Sequence, residues 1–543
     1  MPRDTDRPTP PLRANSDHEM IPLIDIFAGP GGLSEGFSAF ADKQRDSVFD
    51  VMLSIEMEAN AYETLKLRTF FRHSTDGARL DYYKFLRQEI TLNALYEAHP
   101  LVAREAQKRC WQARLGPDGQ PGHLVRSRID NALAGANNWV LIGGPPCQAY
   151  SLAGRSRNAG NPNYNPKKDV RQRLYVDYLQ ILADHRPVVF ILENVKGLLS
   201  ATLQSATLQN ELIFHRILED LRDPAAALAR EGRESRGRSG EGYRIFSLVE
   251  HRMFENGDLE GSVIRAERYG IPQARHRVIL LGVRDDVKGV PQVLTPQDEV
   301  PMSAVINQLP PLRSGLSRRY DSAKAWADCL RSQLGSRWVN AGTRKIDTDD
   351  LSKFLKDSLS ATNPPPCDRG GEFVRAEVTC DYAREWYSDE KIGGICNHST
   401  RGHIKKDLYR YFYAACYAKL HGKSPSLHQF PTDLLPDHAN VATALEEGGN
   451  FSDRFRVQIA ERPSTTIVSH ISKDGHYYIH PDPAQCRSLT VREAARLQTF
   501  PDNYFFCGSR TAQYVQVGNA VPPLLAKQIA AVVYNFLRNN GGA

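Results

Sequence analysis

The sequence predicts an α/β domain on a mostly parallel sheet with helices on both faces, plus a smaller irregular domain placed before the C-terminal segment. Two observations carry this. Short apolar runs recur between residues 21 and 290, each ending in a polar or glycine-rich segment and followed by residues at helical spacing. From about Val290 to Cys486 the alternation disappears, and the stretch is rich in Pro, His, Asp and aromatic residues.

The elements follow in order. Met1 to Met20 is polar and Pro-rich, lacks the apolar core of a signal peptide, and reads as a flexible lead-in. Pro22-Leu23-Ile24-Asp25-Ile26-Phe27 is a strand that stops at the glycine turn Ala28-Gly29-Pro30-Gly31-Gly32, with a helix expected from Leu33. Val51 to Ile55 is a second strand ending in Glu56, and a helix is expected around Ala59 to Leu67. Residues 70–138 fit no simple alternation and read as an insertion. Trp139-Val140-Leu141-Ile142 is a buried-type strand running into Gly143-Gly144-Pro145-Pro146-Cys147-Gln148. Leu174, Tyr178, Ile181 and Leu182 lie at helical spacing. Val188 to Leu192 is a strand ending in Glu193-Asn194, residues 222–242 read as a surface loop, and Val278 to Leu281 is a further strand. Late in the chain, Thr490 and Glu493 form a capping-box signature for a helix through Leu497. A last helix starts near Pro522 with an apolar stripe of Leu525, Ile529, Val532, Val533 and Phe536.

Composition narrows the classes. The formal charge of +6 suits a polyanionic partner without establishing one. No apolar run approaches the roughly 18 residues of a membrane helix. The nine cysteines are odd in number and lack a CxxC pair, against a disulfide framework or zinc ribbon and for a reducing, cytoplasmic compartment. The Cys396-to-His403 cluster fits no standard zinc spacing, so no metal is expected.

Chemistry concentrates where strands end. A strand, glycine turn and helix N-terminus let backbone approach a ligand closely, and Glu56 at the next strand end is placed for ribose hydroxyls. Cys147 follows two stiffening prolines, a poor place for a core side chain; a thiol there needs activation to act as a nucleophile. Glu193 is a solvated loop charge or an acid that donates a proton. Arg275 and Arg277 alternate on one face, either as a surface pair or as readers of a ring acceptor.

These segments together resemble the DNA (cytosine-5) methyltransferases, prokaryotic type. Asp25-Ile26-Phe27-Ala28-Gly29-Pro30-Gly31-Gly32-Leu33 is similar to their first motif, and Gly144-Pro145-Pro146-Cys147-Gln148-Ala149-Tyr150-Ser151 to the catalytic one. Glu193-Asn194-Val195 resembles the acid motif and Tyr269 to Arg277 the paired-arginine motif. Residues 487–501 resemble the late helix motif, and Gly518-Asn519-Ala520-Val521-Pro522-Pro523 the last. The resemblance implies a Rossmann-like class I methyltransferase sheet at 21–290, a target-recognition domain at 296–484, and a return to the catalytic domain at 485–543. It implies methyl transfer from S-adenosyl-L-methionine to C5 of a flipped-out cytosine in a specific double-stranded DNA sequence, through a covalent Cys147–C6 adduct. Glu193 would act at N3 and Arg277 at O2, with Arg275 and Asn194 in support. Cofactor contacts would fall on Phe27, Ala28, Gly29, Gly31, Gly32, Glu56, Met57, Pro146, Leu174, Asn519 and Val521. DNA contacts would fall on Gln148, Ser151, Arg155, Arg157 and Gln273. Lys167, Lys168, Arg171 and Arg173 extend that basic loop, and Arg401, Lys405 and Lys406 are further DNA-facing candidates. The family's adenine-contacting acid has no clear counterpart; Asp76 and Asp130 are weak options.

By family habit such enzymes are monomeric, work beside nucleoid DNA and belong to restriction-modification or phage-defence systems with a partner nuclease. The rivals are a tRNA cytosine-5 methyltransferase, whose Cys-Phe-Thr signature is missing here, and an inactive DNA-binding relative, which would lack Cys147, Glu193 or Arg277. A nicotinamide oxidoreductase accounts for the glycine loop alone.

Overall fold

The computed structural model describes residues 20–43, 47–116, 118–145, 170–200, 202–203, 211–255, 261–317, 320–340, 348–437, 441, 445 and 452–540. Its centre is an eight-stranded mixed sheet. The strands are β1 (Ile21–Ile26), β2 (Phe49–Glu56), β3 (Cys110–Gln112), β4 (Val140–Gly143), β5 (Val189–Val195), β6 (Tyr243–Phe246), β7 (Val263–Arg265) and β8 (His276–Arg284). The order is β3-β2-β1-β4-β5-β8-β6, with β7 also on β8; β3 through β5 run parallel and β8 lies antiparallel to β5.

The inner strands are apolar at nearly every position because both faces are covered. On one face Ile24, Ile26, Leu53 and Leu141 pack with Val125, Ile129, Tyr178 and Leu182, from helices Gly122–Leu133 and Val170–His185. On the other, Leu23, Val140 and Ile279 pack beneath α1 (Gly32–Ser38) and the last helix, Pro523–Asn539. The C-terminal helix thus completes a core begun by the first strand. At the crossing, Gly36 carries no side chain because a Cβ there would lie 2.4 Å from the Pro523 carbonyl and 2.5 Å from Ala526 Cβ.

The region read as an insertion is part of the sheet. β3 pairs in parallel with β2, so the alternation continues through residues 70–138, interrupted by helices Asp76–Leu86, Leu92–Ala98 and Pro100–Arg109. Three residues, Cys-Trp-Gln, flanked by Lys108, Arg109 and Arg114, are too few to leave an apolar run in the sequence. These helices bridge outward: Tyr82, Tyr83 and Leu86, with Leu67 of the preceding helix Ala59–Arg72, share a core with Ile392, Cys396 and Cys507. The expected loop at 222–242 contains helix Pro224–Arg230, opened by an Asp223 side chain that accepts the Ala226 N–H. The stretch Arg510–Asn539 does have the length and apolarity of a membrane span, but 72% of its most apolar window is buried inside the fold. Those apolar residues serve the core.

Between 296 and 484 the described residues form short ribbons and helices around a core of their own. Its axis is helix Lys405–His421, in which Tyr411, Phe412, Tyr413, Cys416 and Tyr417 are all buried. Met302, Val305, Ile306 and Leu309 instead share a core with Ile467, Leu489, Leu497 and Val517, so packing crosses the expected domain boundary.

Gly36→Ala is expected to lower stability by about 1–3 kcal/mol through overpacking, read as a lower urea midpoint. An unchanged midpoint would contradict the close helix crossing.

Candidate active site

The site lies at the C-terminal ends of β1, β2, β4 and β5, where open α/β sheets bind ligands. After β1 the chain turns through Phe27 and Gly29, both at positive φ (55° and 57°). The Ala28 N–H donates to the Ile55 carbonyl at 3.1 Å and the Gly31 N–H to the Ala28 carbonyl at 2.9 Å. Glu56 holds the loop from the neighbouring strand end: its carboxylate accepts the N–H groups of Gly29 and Glu58, both at 2.8 Å. Burial pushes the Glu56 acid up, and those N–H donors pull against the rise. A Cβ on Gly29 would meet nothing within 4 Å, so space is open above the loop. Met57 beside it is 57% exposed.

The last segment closes the loop from below. A Cβ on Gly32 would sit 2.2 Å from the Val521 carbonyl oxygen. The loop from Phe27 to Gly32, Glu56 with its neighbour Met57, and Val521 therefore come together at these strand ends, and Asn519 lies two residues before Val521 in the chain. Leu174 is buried in the adjoining apolar layer, against which Phe27 packs.

The second half of the site is built by strand register. Val195 faces Arg277 and Glu193 faces Ile279, which sets the Arg277 and Glu193 side chains diagonally on one face. The Arg277 Nε lies 3.0 Å from Glu193 Oε1. Burial lowers the Arg277 guanidinium from its ordinary value and the Glu193 carboxylate counters it. The other carboxylate oxygen lies against Gly144, where a Cβ would be 2.9 Å away. The acid thus sits at the root of the Pro145-Pro146-Cys147 segment. Asn194 is buried on the opposite face and its Oδ1 accepts the Val195 N–H at 2.7 Å. Arg275 is also buried and donates to the Ile467 carbonyl at 2.8 Å and the Gly518 carbonyl at 3.3 Å. Cys147, Pro146, Gln148, Ser151, Arg155, Arg157, Lys167 and Lys168 lie outside the described residues, as do the side chains of Arg171 and Arg173.

Two expected DNA contacts are corrected. Gln273 is fully buried, with its amide bonded to Leu497, Gln498 and Ile467. Arg401 is buried too; it donates to the Lys473 carbonyl at 2.9 Å and the Ile471 carbonyl at 2.8 Å, and lies over the Tyr514 ring. Both spend their donors on carbonyls inside the fold. Lys406 is exposed but paired with Asp437 at 2.6 Å. Asp130 is held by Arg236 at 2.9 Å and His185 at 3.1 Å. Asp76 opens a helix. Neither acid follows β3, whose next residues are Ala113-Arg114-Leu115. His398 bonds Thr490 and the Pro310 carbonyl, both at 2.9 Å, so its ring nitrogens serve the fold.

A profile for C-5 cytosine-specific DNA methylases matches residues 124–223 and 256–535. The chain belongs to this family. It is 30% identical to the type II methyltransferase M.Bpa9945I of Bacillus paralicheniformis, over 95% of this chain and 99% of that one. It is 26% identical to the DNA (cytosine-5-)-methyltransferase M.ApeKI of Aeropyrum pernix, over 77% and 87% of the two chains. The solved structure of a DNA modification methyltransferase encoded within an E. coli prophage aligns with a TM-score of 0.48 at 18% identity, covering 95% of this chain and 99% of that one. The protein is a DNA (cytosine-5-)-methyltransferase.

Sequence reasoning left one acid of this methyltransferase without a role. Asp25 lies inside β1, directly before the glycine loop, fully buried. Among the described residues neither oxygen makes a well-formed hydrogen bond, although the Ser34 hydroxyl and N–H lie close enough to favour the ionised form. Burial pushes its acid from 3.8 up to about 7; the nearby Ser34 and Arg72 pull downward without cancelling this, and the Ser34 hydroxyl is itself committed to the Gly31 carbonyl at 3.2 Å. Only an ionisable residue interrupting an apolar run signals this in sequence. Glu35, also buried, behaves oppositely: burial would raise it, but Arg68 and Arg72 hold it down at about 2.

Because the folded pKa of Asp25 exceeds the unfolded one, the native state binds that proton more tightly. Its contribution is fully present below about pH 4 and is lost as pH rises through 7. Asp25→Asn should therefore gain stability relative to the parent between pH 5 and pH 8. Equal differences in urea midpoint at the two pH values would exclude this role for the carboxyl.

Proposed function

We propose that the protein methylates C5 of a cytosine flipped out of a specific double-stranded DNA sequence, with S-adenosyl-L-methionine as methyl donor and Cys147 as nucleophile. The observation that carries the reading is the Glu193–Arg277 pair at the root of the Pro-Pro-Cys segment, beside an open glycine cradle. The cradle residues fit the donor: open space above Gly29 admits its nucleoside, Glu56 stands at a strand end suited to ribose hydroxyls, and Met57 offers an exposed apolar surface. When bound, S-adenosyl-L-methionine supplies an electrophilic methyl group.

The protein's own groups prepare the ring. The Cys147 thiolate forms a bond to C6, and the C5–C6 π pair moves to C5. Glu193 supplies a proton to, or shares one with, N3, and Arg277 donates to the ring O2 where negative charge develops. After methyl transfer a base removes the C5 proton, that electron pair restores the C5–C6 double bond, and the thiolate leaves. Arg275 and Asn194 hold the strands that present these groups. Extruding the base costs a few kcal/mol, offset by contacts from the basic segment that includes Arg155 and Arg157. The type II naming of the relatives supports a place in a restriction-modification system; the same reading takes the enzyme to act as a monomer on cytoplasmic, nucleoid-associated DNA.

With duplex DNA carrying 5-fluorocytosine at the target, the parent protein should form a covalent complex and Cys147→Ala should form none; a persistent complex in that variant would overturn the nucleophile. Glu193→Gln should lower kcat by about 10²–10⁴ with DNA affinity retained. A parent protein that transfers methyl groups only to tRNA would overturn the substrate assignment.

A further inference from the structure

A buried side chain stands at the centre of the network that joins the two halves of the site. Gln498 lies just after helix Val491–Leu497 and is 0% exposed. Its amide nitrogen donates to two carbonyls, Val517 at 2.7 Å and Ala520 at 2.9 Å. Its amide oxygen accepts from the Gln273 Nε2 at 2.7 Å. Gln273 uses its amide just as fully: it donates also to the Leu497 carbonyl at 3.2 Å and accepts the Ile467 N–H at 2.7 Å. Arg275, two residues on, closes the figure on the Ile467 and Gly518 carbonyls. The Thr466 hydroxyl donates to the Ala274 carbonyl at 2.6 Å.

This network spans the site. On one side Gln273 and Arg275 lead directly into Arg277, the partner of Glu193. On the other, Val517 to Ala520 leads to Asn519 and to Val521, whose carbonyl abuts Gly32 of the cradle. Bond directions leave one assignment: two donors and one acceptor are required at position 498, and a primary amide supplies that set. A carboxylate would aim an oxygen at two carbonyls, and an apolar side chain would strand three buried polar groups, at about 1–3 kcal/mol each.

We propose that Gln498 is a positioning residue that ties the cofactor cradle to Arg277, so that occupancy of the cradle sets the placement of the guanidinium. This rests on the methyltransferase reading above. It makes position 498 a determinant of both cofactor KM and kcat, although it touches neither cofactor nor DNA.

The test compares Gln498→Glu and Gln498→Met with the parent. Active sites are counted by covalent trapping on 5-fluorocytosine DNA, so that misfolded protein is excluded. Per active site, both variants should show kcat lowered at least about tenfold and a raised KM for S-adenosyl-L-methionine, with DNA Kd within about twofold of the parent. Gln498→Glu should recover partially as pH falls, because a protonated carboxyl regains one donor, whereas Gln498→Met should not. Parent kinetics per trapped site, with only the number of active sites reduced, would overturn the proposal. A second measurement needs no variant. Binding of S-adenosyl-L-homocysteine to the parent protein should slow amide exchange at 273–277 and 464–468, and unchanged exchange there would overturn it as well. A parent protein that fails to methylate DNA would instead refute the functional reading, so the two failures are distinguishable.

Discussion

The antiparallel register of Val189–Val195 against His276–Arg284 is the constraint on which the site depends. It sets Arg277 diagonal to Glu193 on one face, with Oε1 at 3.0 Å. A slip of one residue would turn Arg277 to the opposite face and leave the half-buried Glu193 carboxylate without its partner. The parallel strands around this pair align the glycine cradle, the Pro-Pro-Cys root and the acid along one edge. The single reversed strand brings the arginine to that edge from the other direction.

The chain's late return serves the same edge. Helix Pro523–Asn539 covers the sheet, and the segment before it carries the carbonyls that Gln498 grips. Arg487 and Glu493, paired at 2.6 Å with both side chains about 1% exposed, hold the helix that presents Gln498. Thr490 and Glu493 form the expected capping box at its start. Buried polar residues here do work that apolar packing cannot, because carbonyls at chain turns need donors aimed at them.

Much of this was legible in the sequence, for physical reasons. β1, β4 and β5 are buried on both faces and leave continuous apolar runs, and positive-φ turns leave glycines. β3 was illegible because three residues with polar neighbours carry no periodic signal. Neither the family resemblance that puts Gln273 at DNA nor the charge of Arg401 reveals that carbonyls inside the fold take their donors. Asp25 stood within a recognised motif, but a sequence does not show that a carboxyl lacks well-formed hydrogen bonds.

The crossing of α1 with Pro523–Asn539 has a consequence for synthesis. The sheet face formed by Leu23, Val140 and Ile279 is covered only in part, by α1, until helix Pro523–Asn539 is made, some five hundred residues after β1. A nascent or prematurely terminated chain would show apolar surface to the cell's quality-control machinery. A chain ending before Val517 would also lack the carbonyls that seat Gln498. Closure of this core face and the seating of Gln498 thus both depend on segments far along the chain from β1.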